Sequence, residues 1–438
     1  MPTPRLRRGG ALALAFVAVT GAIAAAAATS IAPATVATRA ERAPVTFGDV
    51  AVVYRVGVLD ATTITRSEQV AAAAGGVSTV GRTGTLHARQ IARPGTVAYA
   101  PPDGYTFPLV FAAFPPESLG WLLGLDVAAA AANSAGIVLN AGTAAVHGAQ
   151  AGDLIDIETR SGEIAQLTVT AIVPEATLGG TEAVMTTDLA DRLGETRATR
   201  TIIWGFDSRA ALDAAVAASG LEQRTDTKVA RSWDARNPDS VLDTLDLKRQ
   251  LGVAWYRVTD GGNSVTMHSQ WRDTNLPPGR ELLSEAIPIR ARCHVRIVAD
   301  LRAALADVAA AGLGGAIEVQ NANTYGGCYT PRFARDSWNL SRHSYGLALD
   351  TNTVSNCQGC VPKMNCDVVR IFRRHNFAWG GNFNRPDGMH FEWVGERRDL
   401  LPYPSEYCPN AVTAQMLPQG EPPTIGREAL DLGLEPPP

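Results

Sequence analysis

Cysteine is absent from most of this chain. None precedes Cys293, and all six cysteines of the 438-residue sequence fall in its last third. An even number of cysteines confined to one region predicts three disulfides there, although six cysteines allow fifteen pairings and the sequence does not choose among them. The spacing of Cys357 and Cys360 also suits metal ligation or redox exchange, but no second such pair is present to complete a thiolate metal site. The cysteines are Cys293, Cys328, Cys357, Cys360, Cys366 and Cys408.

The sequence also lacks a large excess of either positive or negative charge. Charged residues make up 19% of the chain, its net charge is −4, and no long basic run occurs. The sequence therefore gives no electrostatic reason to expect nucleic acid as a partner. At this length, with 46% hydrophobic residues, the chain can build more than one hydrophobic core.

The first 45 residues predict an export segment. Arg5, Arg7 and Arg8 precede an uncharged stretch over residues 9–38 that is rich in alanine, valine, leucine and isoleucine. A positive flank before an apolar run is typical of a signal peptide or of a single membrane anchor. The run is near the roughly 20 residues that span a bilayer, yet it is mostly alanine and contains Ala-x-Ala sites, so cleavage and anchoring both stay open. In either case we expect the rest of the chain outside the cytoplasm, where disulfides persist.

The residues after this segment predict a mixed domain without an assigned activity. Alternating apolar residues over 50–58 indicate a strand, and residues 155–157 and 167–171 flank Ser161-Gly162 as a predicted hairpin. Alanine-rich helices are predicted over 118–132 and 209–218. The lone histidines His87 and His147 are interpreted as core or surface residues. The predicted parts of the chain are residues 1–45, 46–230, a connecting segment 231–284, a second domain 285–410 and a flexible tail 411–438.

Two short stretches near the C-terminus carry the chemistry. Residues 341–350 contain His343 and Asp350, and residues 387–393 contain Asp387 and His390. As a strand, the second stretch would place His390 and Glu392 on one face and its apolar residues on the other. Two imidazoles and a carboxylate, with one position kept for water, form the expected ligand set of a catalytic zinc ion. Glu392 is interpreted either as a partner of a ligand histidine or as a strand surface residue.

These motifs, Ser-x-His-x6-Asp followed by Asp-x-x-His, resemble the zinc D-alanyl-D-alanine carboxypeptidases and related peptidoglycan peptidases, the VanY-like or LAS-type metallopeptidases. The flanking stretches 325–332 and 377–383 are similar to that family as well, and the resemblance covers about residues 285–405. It implies that His343, Asp350 and His390 bind Zn²⁺ and that Asp387 activates the zinc-bound water. It also implies an arginine near the substrate. Arg332 is the best positional match, with Arg335 as the rival.

The resemblance implies a function and a location. We expect an exported zinc peptidase that hydrolyses peptidoglycan stem peptides, with D-alanyl-D-alanine carboxypeptidase as the leading hypothesis. A peptidoglycan endopeptidase of the same fold and a noncatalytic cell-wall binding or sensing protein are the alternatives. The expected location is extracytoplasmic, secreted or anchored to the membrane and facing the cell wall, and the oligomeric state stays open.

The expected fold class is α+β. The C-terminal zinc peptidase domain is predicted to contain a small antiparallel sheet backed by helices, one of them over residues 297–308 with Gly312 ending it. A separate, mixed and β-rich N-terminal domain is predicted before it.

Overall fold

The computed structural model describes residues 48–410 and Val412, with gaps at Val56, Thr225, 260–263, 320–323 and Asp336. The predicted export segment lies outside the described residues, as does all of the predicted tail except Val412. The described residues belong to one compact unit, and the boundaries predicted within it stay predictions. In this part of the chain, no helix combines the length and the apolar character needed to cross a bilayer.

Strands and helices alternate irregularly between residues 50 and 231. The strands are β1 (Val50–Arg55), β2 (Val77–Arg93), β3 (Thr96–Tyr99), β4 (Phe107–Phe114), β5 (Gly136–Asn140), β6 (Leu154–Glu158), β7 (Ile164–Val173), β8 (Ala183–Thr186), β9 (Arg200–Trp204) and β10 (Thr227–Arg231). The helices are α1 (Ala61–Ala73), α2 (Pro116–Leu123), α3 (Leu125–Ala131), α4 (Ala141–His147), α5 (Glu175–Leu178), α6 (Thr187–Arg192) and α7 (Arg209–Ser219).

Six of these strands close into a barrel. Their order is β2-β4-β8-β5-β7-β6, and the ring closes because β2 also pairs with β6. The pairs β4–β8 and β5–β7 are parallel, and the other barrel pairs are antiparallel. The first residues of the long strand β2 leave the barrel and pair with β9, which extends the sheet to β1 and β10. The mixed α and β content is confirmed, but the barrel was not predicted.

The local predictions in this region hold with two corrections. The hairpin forms from β6 and β7, and α7 covers the predicted helix. The helix predicted over 118–132 is divided at Gly124, whose φ of 98° favours glycine and ends α2. The strand β1 is buried on both faces instead of alternating, because Val52 packs with α2 and α3 while Val53 packs with α1 and α7.

The remaining elements build the region that contains the predicted site. The strands are β11 (Tyr256–Thr259), β12 (Ser264–Met267), β13 (Glu281–Leu282), β14 (Arg290–Ala291), β15 (Tyr325–Gly326), β16 (Ala348–Thr351), β17 (Phe377–Trp379) and β18 (His390–Trp393). The helices are α8 (Thr244–Leu251), α9 (Ser269–Asn275), α10 (Val298–Ala310), α11 (Arg342–Tyr345) and α12 (Cys366–Arg374).

A four-stranded antiparallel sheet carries this region, in the order β15-β16-β18-β17. One face packs on α10 and α12. Leu301 and Leu305 of α10 share a core with Phe372 of α12, and the Phe372 ring lies 4.2 Å from the ring of Phe391 on β18. The predicted helix over 297–308 is thus present, and Gly312, with φ of 72°, follows its end.

The segment predicted to connect the two halves is more than a linker. It contains α8, β11, β12 and α9, and Leu247, Tyr256, Val265 and Trp271 belong to the same hydrophobic core as the helices behind the sheet. This segment therefore helps to form the body on which the site is built.

Candidate metal and catalytic site

His343 lies on the short helix α11. Ser341 caps the helix, and Gly346 ends it with φ of 71°. A Cβ atom at Gly346 would lie 2.8 Å from Leu276 Cδ2 and 3.0 Å from the backbone nitrogen of His294, so no side chain fits. The Nδ1 atom of His343 lies 3.2 Å from the carbonyl oxygen of Cys328. Because a carbonyl oxygen only accepts, Nδ1 carries the proton and leaves Nε2 with a lone pair.

Asp350 and His390 face each other across the sheet. They are directly paired in the register of β16 and β18, and His390 Nδ1 lies 3.0 Å from Asp350 Oδ1. The other carboxylate oxygen, Oδ2, lies 3.2 Å from His343 Nε2 without the geometry of a hydrogen bond. One ligand atom from each of the three residues lies within 4.8 Å of the others. The structure therefore brings together the three predicted ligands in a group that can hold a metal ion.

Glu392 holds the other nitrogen of His390. Its side chain is fully buried, and its Oε2 lies 3.3 Å from His390 Nε2. The Arg342 Nε group donates to Glu392 Oε1 at 2.8 Å. Of the two interpretations of Glu392, the structure agrees with that of a partner of His390, not with that of a strand surface residue. Such partners orient the imidazole and make it a better ligand.

The electrostatics of the group favour a cation. Burial acts to raise the pKa of Asp350, but the interactions of its carboxylate with the imidazoles of His343 and His390 outweigh burial and hold the pKa well below its usual range. Burial acts to lower the pKa of His390, but hydrogen bonds to Asp350 and Glu392 raise it to about 10. Buried carboxylates thus stabilise positive charge at the point where the ligand atoms meet.

Asp387 lies beside this group. It is 8% exposed, and its Oδ1 is buried without a hydrogen-bond partner among the described residues. Burial raises the pKa of its carboxyl group, and the charge of Asp350 adds to the rise, while His390 opposes it. The backbone nitrogen of His390 donates to the Asp387 carbonyl at 3.1 Å, which folds the turn between them. An unpartnered carboxylate oxygen beside a group that can hold a metal ion is an arrangement suited to general-base chemistry.

Gly380 permits the close approach of Asp387. The backbone nitrogen of Asp387 donates to the Gly380 carbonyl at 2.8 Å. A Cβ atom at Gly380 would lie 2.5 Å from the carbonyl oxygen of Asp387 and 3.0 Å from His390 Cβ. Any side chain there would displace Asp387 or His390.

Arg332 lies in the loop that leads to α11. Its side chain is exposed, and its positive charge acts to lower the pKa of Asp387, which places the guanidinium near the site. The Ser344 hydroxyl donates to the Arg332 carbonyl at 2.6 Å and so holds the main chain of Arg332. The rival Arg335 is exposed in the same loop.

The loop over residues 331–341 also contacts the barrel. Thr85 Oγ1 donates to Asn339 Oδ1 at 2.6 Å, and the Arg160 guanidinium lies 4.5 Å from the centre of the Trp338 ring. The edge of His87 packs against Trp338 at 5.3 Å between ring centres. These contacts join residues that are far apart in sequence, so no motif or local pattern predicts them.

The histidines interpreted as structural lie apart from the ligand group. His87 and His147 are buried in the barrel region, where His87 Nδ1 lies 2.6 Å from the Tyr256 hydroxyl. His375 ends α12 and lies 2.8 Å from Asp307. His87 and His147 are thus core residues, one of the two placements expected for them, and His375 is a residue at the end of a helix.

All six cysteines are paired, as predicted. The disulfides are Cys293–Cys328, Cys357–Cys360 and Cys366–Cys408. The first lies beside the carbonyl that holds His343, and the second closes a turn in the loop after Asp350.

Residues 335–393 match a family model described as D-alanyl-D-alanine carboxypeptidase. The match confirms the resemblance for the C-terminal part of the chain, over a shorter stretch than the one proposed from the motifs. It contains His343, Asp350, Asp387 and His390, whereas Arg332 lies just before it. No match to a curated protein was found. The C-terminal part of this chain is therefore similar to the D-alanyl-D-alanine carboxypeptidases.

Proposed function

We propose that this protein is an exported zinc-dependent peptidase that hydrolyses peptidoglycan stem peptides outside the cytoplasm, and that its main activity is that of a D-alanyl-D-alanine carboxypeptidase. One observation carries the proposal: the unpartnered carboxylate oxygen of Asp387 lies beside a group of two imidazoles and one carboxylate. A metal site that only stabilises the fold needs no such base.

The donor atoms fit zinc. His343 Nε2 is buried and makes no hydrogen bond among the described residues, while its Nδ1 is held by a carbonyl oxygen. His390 Nδ1 faces Asp350, and Glu392 holds its Nε2. Two imidazoles and one carboxylate suit zinc, whereas calcium and magnesium prefer oxygen ligands alone. We therefore assign His343, Asp350 and His390 as the residues that would hold the ion.

The residues around the site have distinct parts in the reaction. When bound, zinc acts as a Lewis acid, which acidifies a water molecule and polarises the peptide carbonyl. Asp387 accepts the proton of the attacking water at Oδ1 and returns it to the nitrogen of the leaving amine. The Arg332 guanidinium binds the free C-terminal carboxylate of the stem peptide with its planar fork. An exposed cation beside a buried base supports cleavage at the end of a peptide.

Products identified by mass test the proposal. Purified protein supplied with zinc and incubated with a pentapeptide stem is expected to release free D-alanine. A stem with an amidated C-terminus should be a much poorer substrate, because Arg332 loses its ionic partner. Internal fragments in place of D-alanine would show an endopeptidase. No cleavage of free stems or crosslinked dimers, by protein with one zinc bound per chain, would refute a peptidase.

A further inference from the structure

The loop over residues 352–365 leaves the sheet directly after the metal-binding group. It begins two residues after Asp350, ends at the cap of α12, and contains the disulfide Cys357–Cys360. Neither the ligand set nor the residues assigned to the reaction include any part of it. Its first residues form hydrogen bonds with Ala316, Glu318 and Thr324. Residues 356–362 contact a different segment, residues 386–389, which contains Asp387.

A backbone bridge and a further backbone hydrogen bond join the loop to that segment. Gln358 forms an antiparallel bridge with Asp387. The backbone nitrogen of Gly359 donates to the Pro386 carbonyl at 2.6 Å, and the backbone nitrogen of Met389 donates to the Asn356 carbonyl at 3.1 Å. Gln358 and Gly359 are the two residues enclosed by the disulfide. The disulfide-closed turn therefore pairs with the backbone of the proposed base.

The segment 386–389 is also closely packed where Gly388 meets the loop. A Cβ atom at Gly388 would lie 2.9 Å from Asn356 Oδ1 and 3.0 Å from Pro362 Cβ. Asn356 is 1% exposed, and its Oδ1 accepts from the Lys363 backbone nitrogen at 2.7 Å, which ties the two ends of the loop together. The segment with Asp387 is thus held between Gly380 and the loop.

We propose that the loop 352–365, closed by the Cys357–Cys360 disulfide, is the positioning element of Asp387. The proposal rests on the proposed function, in which Asp387 is the base. The disulfide restricts the backbone freedom of a turn whose amide and carbonyl groups hold residues 386–387, so the carboxylate keeps one position relative to the ligand group. Cys357, Cys360 and Asn356 are positioning residues and touch neither substrate nor metal.

A double-mutant cycle tests the proposal. The Cys357→Ser, Cys360→Ser variant is expected to lose about tenfold or more in kcat, with KM and bound zinc nearly unchanged, as for a misplaced catalytic group. In an Asp387→Asn background the same pair of substitutions should cost nothing further, because the group being positioned is already absent. General destabilisation would instead cost the same factor in both backgrounds. Asn356→Ala is the second variant, and the same non-additivity is expected for it.

Amide hydrogen exchange gives a readout that needs neither metal nor substrate. In the metal-free protein the Met389 amide should exchange about tenfold faster once the Cys357–Cys360 disulfide is removed. The matched control removes Cys366–Cys408, which ties α12 to the C-terminal segment, and should leave this amide unchanged. Equal exchange in both variants, loss of zinc from the Cys357 variant, or additive kinetics would each overturn the proposal. A wild-type protein that cleaves no peptide would overturn the proposed function, while exchange would still report on the loop.

Discussion

Replacing Glu392 with glutamine tests whether a buried carboxylate sets the metal affinity of the site. Glu392 is fully buried between His390 Nε2, at 3.3 Å, and Arg342 Nε, at 2.8 Å. Glutamine keeps the shape of the side chain and one accepting oxygen, but it removes the negative charge. The imidazole of His390 then loses the ionic partner that makes it a stronger ligand.

The expected losses of metal affinity and of stability can be estimated from the contacts of Glu392 with His390 and Arg342. Removing the partner of a ligand histidine lowers metal affinity by about 10–100-fold, which corresponds to about 1.4–2.8 kcal/mol. The substitution also removes the negative charge that faces Arg342, whose side chain is 5% exposed. Loss of one member of a buried ion pair costs about 3–5 kcal/mol of unfolding free energy, and the retained amide oxygen should keep the cost at the lower end. Metal affinity and stability should therefore both fall.

Zinc competition with a chromophoric chelator at neutral pH measures the affinity, and urea unfolding of the metal-free protein measures the stability. Glu281→Gln is the matched control, because that carboxylate is 44% exposed and pairs on the surface with Arg302, which is 51% exposed. Surface pairs of this kind contribute about 0–1 kcal/mol. Equal zinc affinities in the two variants would refute the assignment of Glu392 as the partner of a ligand.

Three further outcomes are expected. Asp387→Ala should keep zinc and lose about 10²–10⁴-fold in kcat, whereas His343→Ala should lose both zinc and activity; unchanged turnover in the first variant would remove Asp387 from the reaction. Trp338→Ala should free the Arg332 loop from the barrel and lower kcat/KM roughly tenfold, with zinc content as the control. Burial lowers the pKa of His87 to about 4, so the unfolded state takes up the proton first as pH falls below 6.5. Between pH 6.5 and 4 the wild type should therefore lose about 3 kcal/mol more stability than His87→Gln, and equal losses in urea unfolding would contradict this.

The metal-binding group was the most predictable part of the molecule. The two motifs named His343, Asp350 and His390 as expected ligands with Asp387 as the expected base, and period-two alternation placed Glu392 on the face of His390. Side chains that are close in sequence are positioned by local backbone geometry, which motifs record. The sequence could not show that Arg342 balances Glu392, because that pair depends on how α11 packs against β18.

The barrel was the least predictable part. Its closure depends on β2, whose 17 residues pair with β9 at one end and with β4 and β6 further along. The partners β6 and β9 lie far away in sequence, and no local pattern specifies the register. The disulfides show the same limit, since the number of cysteines predicted three bonds but only the fold determined which cysteines meet.

The connecting segment, residues 231–284, supports the candidate site through Asp239, although Asp239 is not part of the site. Asp239 is fully buried, and its Oδ1 accepts from Arg373 Nε at 2.9 Å and from the Trp379 backbone nitrogen at 2.9 Å. Its Oδ2 accepts from Asn382 Nδ2 at 2.6 Å. Trp379 and Asn382 flank Gly380, whose carbonyl accepts from the backbone of Asp387. One buried carboxylate therefore joins α12, the end of β17 and the turn that supports the proposed base, so the position of Asp387 depends on a residue almost 150 positions earlier in the chain.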